Sequence, residues 1–134
     1  MWYAGIDWAD EKHDLMVLDD AGHQVGKRQV KHTVEGLKEL TDLLQSISGP
    51  HRKTEVACIV ETNHGLLITA LLEAGFPVYP VNPNTIDRRR SASGAKTDSI
   101  DAYLLAKVGR ADFADLRRLT PDSPIIAERK RIDP

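Results

Sequence analysis

The sequence predicts an α/β domain built on a mixed five-stranded sheet flanked by helices, and three observations carry that expectation. Three short strand-like segments follow one another at the start, joined only by turn-length polar links. Helical and strand-like segments then alternate, the pattern of crossover connections between parallel strands. Finally, 134 residues at 41% hydrophobic and 28% charged are enough for one core but not for two large domains.

Each element follows from its own residues. Tyr3 to Trp8, Asp14 to Leu18 and Gln24 to Lys31 read as strands, bounded by Asp10-Glu11-Lys12 and by Asp19-Asp20-Ala21-Gly22. Such short links predict an antiparallel meander. Thr33 caps a helix running to about Ser46, because Leu37, Leu40, Leu43, Leu44 and Ile47 recur at helical spacing and Ser48-Gly49-Pro50 stops it. Thr54 to Glu61 is almost wholly apolar at its centre, as in a strand covered on both faces. A helix from Gly65 to about Ala74 stops at Gly75, a fifth strand follows over Val78 to Val81, and a last helix runs from Asp98 to about Gly109.

Three antiparallel strands and then two helix–strand units give the element order of a ribonuclease H-like fold. Residues 1–119 read as that domain. Residues 120–134 carry Pro121, Pro124 and Glu128-Arg129-Lys130-Arg131 without apolar periodicity and read as a linker or frayed C-terminal tail. No apolar run approaches the ~18 residues of a membrane span, and the N-terminus lacks a signal-peptide pattern. The expectation is a soluble, cytoplasmic protein with no membrane partner. Cys58, the one cysteine, lies in an apolar run and reads as a small buried thiol.

The net charge of −2 conceals an asymmetry: residues 1–83 carry −5 and residues 84–134 carry +3. Nucleic-acid binding therefore needs a local basic patch, or a cation offsetting the acidic part. Arg88-Arg89-Arg90 and Lys96 are the candidate phosphate contacts; a solvated charge run and an exposed lysine are the plainer alternatives. His13, His23, His32 and His51 show no ligand spacing and are expected at the surface. His64 follows Glu61 in a loop and reads as structural or as a neighbour of substrate.

Four acids carry the chemistry. Asp7 and Glu61 close apolar strands which, if parallel neighbours, set both carboxylates at the carboxyl edge of the sheet, where open α/β sheets commonly bind ligands. Asp98 and Asp101 lie three apart at the start of the last helix and share a face; Asp98 also reads as a simple cap. Converging carboxylates repel unless a cation neutralises them, and hard oxygen donors suit Mg²⁺ or Mn²⁺. Two such ions ~3.5–4 Å apart suit phosphodiester displacement.

The segments Gly5-Ile6-Asp7-Trp8-Ala9, Val60-Glu61-Thr62-Asn63-His64-Gly65 and Lys96-Thr97-Asp98-Ser99-Ile100-Asp101-Ala102 resemble the three acidic motifs of the DEDD transposases of bacterial insertion sequences, the family numbered 110. The resemblance covers nearly the whole chain, and its third motif is the most specific. It implies a RuvC-like domain, similar to the Holliday-junction resolvase, in which Asp7, Glu61, Asp98 and Asp101 hold divalent metal for work on DNA. It also implies a structured guide RNA and, in the full-length protein, a homo-oligomer. Family members continue into a second domain with a nucleophilic serine, whereas this chain stops at Pro134, so recombination by this piece alone is expected to be incomplete. Two other readings share the fold: a stand-alone resolvase-like nuclease, and a catalytically incompetent nucleic-acid-binding module. A sugar-kinase-like ATP site ranks last, because no second Gly-rich loop follows.

Overall fold

The computed structural model describes residues 1–9, 11–61, 65–82 and 98–119, with the side chains of residues 8, 9 and 98–101 outside the description. Its elements are β1 (Trp2–Ala9), β2 (Lys12–Asp19), β3 (Gln24–Lys31), α1 (Val34–Ser48), β4 (Val56–Glu61), α2 (Gly65–Glu73), β5 (Val78–Val81) and α3 (Asp98–Asp112). The sheet order is β3-β2-β1-β4-β5. The first three strands form an antiparallel meander, while β1–β4 and β4–β5 are parallel. This is the mixed five-stranded, ribonuclease H-like α/β arrangement that the sequence predicts.

Alternation along the strands sorts side chains onto two faces. On one, Ala4, Ile6, Leu15, Val17, Val56, Cys58 and Val60 pack against Leu40 and Leu44 of α1 and Leu67, Ile68 and Leu71 of α2. Full burial of a leucine contributes about 1.5–3 kcal/mol, so these residues account for much of the anchoring of both helices. Thr33 caps α1 as expected, its Oγ1 accepting the Gly36 amide at 2.9 Å. The opposite face carries Tyr3, Ala57, Ile59 and Val81 against Leu105 and Val108 of α3, and Met16 and Leu18 against Ala102 and Ala106.

α3 lies close on that face because the seam is built from small residues. A Cβ on Gly5 would run into the Ala102 carbonyl and the Ala106 amide, and one on Gly109 would meet Ile59. This also explains why α3 continues to Asp112 rather than stopping near Gly109. That glycine makes room for Ile59 and does not terminate the helix.

Two other expectations are corrected. The residues before β4 form a 3-10 turn, Lys53–Glu55, held by Arg52 donating to both oxygens of Glu55 at 2.7 and 2.9 Å, so the strand begins at Val56 and not at Thr54. His13 is not a surface residue. β2 starts earlier than expected, at Lys12, which puts His13 in phase with Leu15 and Val17 on the α1 face. It is 0% exposed, with its Nε2 2.8 Å from His32 Nδ1. Cys58 is buried as expected. Among the described residues no helix is long and apolar enough to cross a membrane.

Candidate active site

The acids gather on the α3 face through strand register. Gly5 of β1 pairs with Ile59 of β4 in the parallel ladder, so Asp7 and Glu61 each lie two residues further on. Two residues restore the same face, so Asp7 and Glu61 both belong to the α3 face of the sheet, just beyond the last paired residues of the β1–β4 ladder. Across the antiparallel ladder Asp7 pairs with Asp14 of β2, which pairs with Gln29 of β3, and Glu61 pairs with Val81 of β5. On this face Gln29, Asp14 and Asp7 thus form one transverse row and Glu61 and Val81 another, on either side of the end of the β1–β4 ladder.

The two aspartates are screened from water. Asp7 is 4% exposed and Asp14 7%, while Glu61 is half-buried. Gln29 Nε2 donates to Asp14 Oδ1 at 2.9 Å, which fixes that carboxylate. Like charges directly opposite each other in a ladder are unfavourable as a bare pair. The arrangement therefore suits a positive group.

α3 runs against β1 in the opposite sense. Tyr3 packs by Val108 and Phe113 near its C-terminal end, whereas Gly5 packs on Ala102 and Ala106. From Gly5 to Asp7 the strand advances ~6.6 Å. From Ala102 back to Asp98 the helix advances ~6 Å the same way. The first turn of α3, containing Asp98 and Asp101, therefore reaches the level of the acid row. The far end is tied down by Arg110, whose Nε donates to the Asp20 carbonyl at 2.9 Å.

The side chains of Asp98 and Asp101 are not among those described, and Arg88, Arg89, Arg90, Lys96, His64 and residues 120–134 lie outside the described residues altogether. Among the described residues no group of three His, Cys, Asp or Glu side chains is by itself placed to hold a metal. A cation here would need the α3 acids as well as Asp7 and Glu61. The donor set fits that use: every candidate ligand is a carboxylate, the hard oxygen type that Mg²⁺ and Mn²⁺ prefer.

Sequence reasoning missed Asp14. The signal was available, because Asp14 is in phase with Met16 and Leu18, which face α3, but starting the strand at Asp14 made it look like a boundary residue. Beside it opens a cleft of about 430 Å³, lined by Asp14, Met16, Lys27, Gln29 and Ala102 among others.

A ribonuclease H-like sheet, with carboxylates at the ends of its two central strands and a covering helix that starts beside them, defines the class of the domain. The family model of IS110 DEDD transposases, described as transposase, matches residues 4–131. The chain is 37% identical over 129 residues to "Putative transposase y4uE" of Sinorhizobium fredii (strain NBRC 101917 / NGR234), covering 94% of this chain and 36% of that protein. It is 36% identical over 126 residues to "Mini-circle putative transposase for IS117" of Streptomyces coelicolor (strain ATCC BAA-471 / A3(2) / M145), covering 92% of this chain and 30% of that protein. This chain belongs to the IS110 family of DEDD transposases. It spans about a third of the length of the curated relatives it matches.

Proposed function

We propose that this chain is the metal-binding catalytic domain of a transposase or recombinase that acts on DNA phosphodiester bonds. The observation that supports it is that Asp7 and Glu61 belong to the sheet face on which α3 packs, with Gly5, two residues before Asp7, set against Ala102 near the start of that helix. Asp7, Glu61, Asp98 and Asp101 would hold Mg²⁺ or Mn²⁺. When bound, such ions stabilise the attacking and leaving oxygens of a phosphodiester displacement. The chain's own work is to hold four carboxylates on rigid elements. Asp7 is held in the β1–β2 ladder opposite Asp14, and α3 is set against Gly5 so that its first turn does not drift.

Residues 1–119 are the domain in this reading and 120–134 lead out of it. Arg88, Arg89, Arg90 and Lys96 contact phosphates, on the strength of the positive charge after residue 83. A guide RNA, homo-oligomerisation and a second, serine-bearing domain belong in this reading to the full-length proteins of the family.

A thermal-shift titration with Mn²⁺ tests the metal site. The midpoint should rise by mass action, with stabilisation of about 2.7 kcal/mol at a hundred times the dissociation constant. The rise should vanish in the Asp7→Asn, Asp101→Asn double variant. An equal rise in both proteins would sink the assignment.

A further inference from the structure

Of the basic side chains on described residues, just over half are engaged. Arg28 pairs with Glu39 at 2.6 Å, Lys38 with Asp42 at 2.8 Å and Arg52 with Glu55. Lys53 donates to the Ala74 carbonyl, Arg110 to the Asp20 carbonyl, and Lys107 lies over Tyr103. Lys12, Lys27 and Lys31 are exposed and, among the described residues, make no ion pair or hydrogen bond through their side chains. Arg117 and Arg118 are also exposed, but they follow the C-terminal end of α3, away from the acid row.

Register puts the three lysines on one surface. Lys12 pairs with Lys31, and Lys27 with Met16, so all three share the α3 face with Asp14 and Asp7. α3 packs on β1, β2 and β4 and leaves β3 open. The Lys12–Lys31 pair sets two positive charges directly across a ladder, with Cβ atoms ~4.5–5.5 Å apart, which disfavours folding unless an anion lies over them. Two residues along the same face comes the opposite case, the Asp7–Asp14 pair. Rows of opposite sign thus lie side by side, and the cleft lined by Asp14, Lys27 and Gln29 joins them. Lys27 and Lys31 are ~13 Å apart along β3, which matches about four nucleotide rises of a duplex strand.

We propose that Lys12, Lys27 and Lys31 form a positioning strip that holds the phosphate backbone of the DNA strand whose reacting bond lies at Asp7 and Glu61. The proposal rests on reading the acid row as the reaction site. Its chemistry is plain: three ammonium groups at an open sheet face engage a polyanion without reading bases, and from β3 to β1 is only ~10 Å. Gln29 between the lysines holds Asp14 back, so that this carboxylate does not neutralise Lys12 or Lys31.

The test is a fluorescence-anisotropy titration of the purified chain against a labelled DNA duplex of unrelated sequence at several salt concentrations. It is run in EDTA on both the parent and Asp7→Asn, so the lysines are read independently of any cation. The Lys12→Gln, Lys27→Gln, Lys31→Gln variant should bind more weakly, with the salt slope shallower by ~0.9 for each phosphate no longer neutralised. The matching triple Arg variant should keep the parent slope, and Lys38→Gln on α1 should match the parent. An unchanged slope in the Gln variant would overturn the proposal, as would an equally weakened Arg variant. Lysine dependence for an RNA duplex but not for DNA would also overturn it. Loss of the Mn²⁺ response with the lysine dependence intact would remove the metal reading and leave the strip standing.

Discussion

Tyr3 illustrates how a side chain can serve the site from a distance. Its ring packs against Phe113 beyond the end of α3 with centroids 5.8 Å apart, and its hydroxyl donates to Asp20 Oδ1 at 3.3 Å. Burial, together with the neighbouring Asp20 carboxylate, raises its pKa above the usual 10.0. A raised folded value means the neutral phenol is favoured in the native state. Its contribution to stability is therefore fully present below pH 10.0 and is lost as pH rises through the higher folded value. At the acid end, the N-terminal ammonium bonds Asp20 at 2.8 Å and holds its carboxyl below the usual 3.8; that contribution is present above this value and fades as pH falls through the lower folded value. Chemical denaturation of the parent and Tyr3→Phe across pH 8–12 should show a steeper alkaline loss in the parent, once the shared baseline is subtracted. Parallel curves would show that Tyr3 does not carry the effect. The same residue scale explains Cys58, whose buried thiol is pushed well above its ordinary value and stays protonated and inert.

At the scale of elements, the seam between β1 and α3 sets where the first turn of α3 lies against the sheet. Gly5, Ala102, Ala106 and Gly109 let helix and sheet approach closely, and α3 brings its first turn level with Asp7 only from that depth. Gly5→Ala inserts a methyl group against the Ala102 carbonyl. Overpacking of this kind costs about 1–3 kcal/mol, and the strain is relieved most easily by lifting α3. The expected outcome is a lower thermal midpoint together with a diminished Mn²⁺ response, although no carboxylate has been altered. A variant that loses stability but keeps the full Mn²⁺ response would mean that the seam stabilises α3 without setting the position of its first turn.

At the scale of the molecule, the proposed chemistry bears on what this chain does alone. Strand exchange that conserves bond energy needs either attack by a DNA 3′-hydroxyl or a covalent protein–DNA link. Carboxylates position metal but supply no covalent nucleophile of the serine type, and the serines whose side chains are described, Ser46 and Ser48, sit on α1, across the sheet from Asp7 and Asp14. The purified chain with Mg²⁺, a guide RNA and labelled donor and target DNA should therefore give no joined product. Supplying the serine-bearing domain in trans should restore it. Joined product or a covalent adduct from the chain alone would refute this, and metal-dependent cleavage without joining would favour the resolvase-like reading.

The sequence by itself determined the element order, the strand at Val78–Val81, the Thr33 cap and the parallel pairing of β1 with β4. These follow from local periodicity and from the rule that a helix between strands makes them parallel neighbours. It did not determine which acids and bases of the meander share a face, since that depends on the pairing register between strands, where a slip of one residue exchanges the two faces. The burial of His13 and the place of Asp14 opposite Asp7 were missed because β2 begins two residues earlier than its apolar run suggests. Only the tertiary structure decided that Gly109 is a contact and not a stop, because Ile59 comes from fifty residues away in the chain. It alone showed Lys12 facing Lys31 beside the carboxylates, a juxtaposition set by the β2–β3 register and by the edge that α3 leaves uncovered.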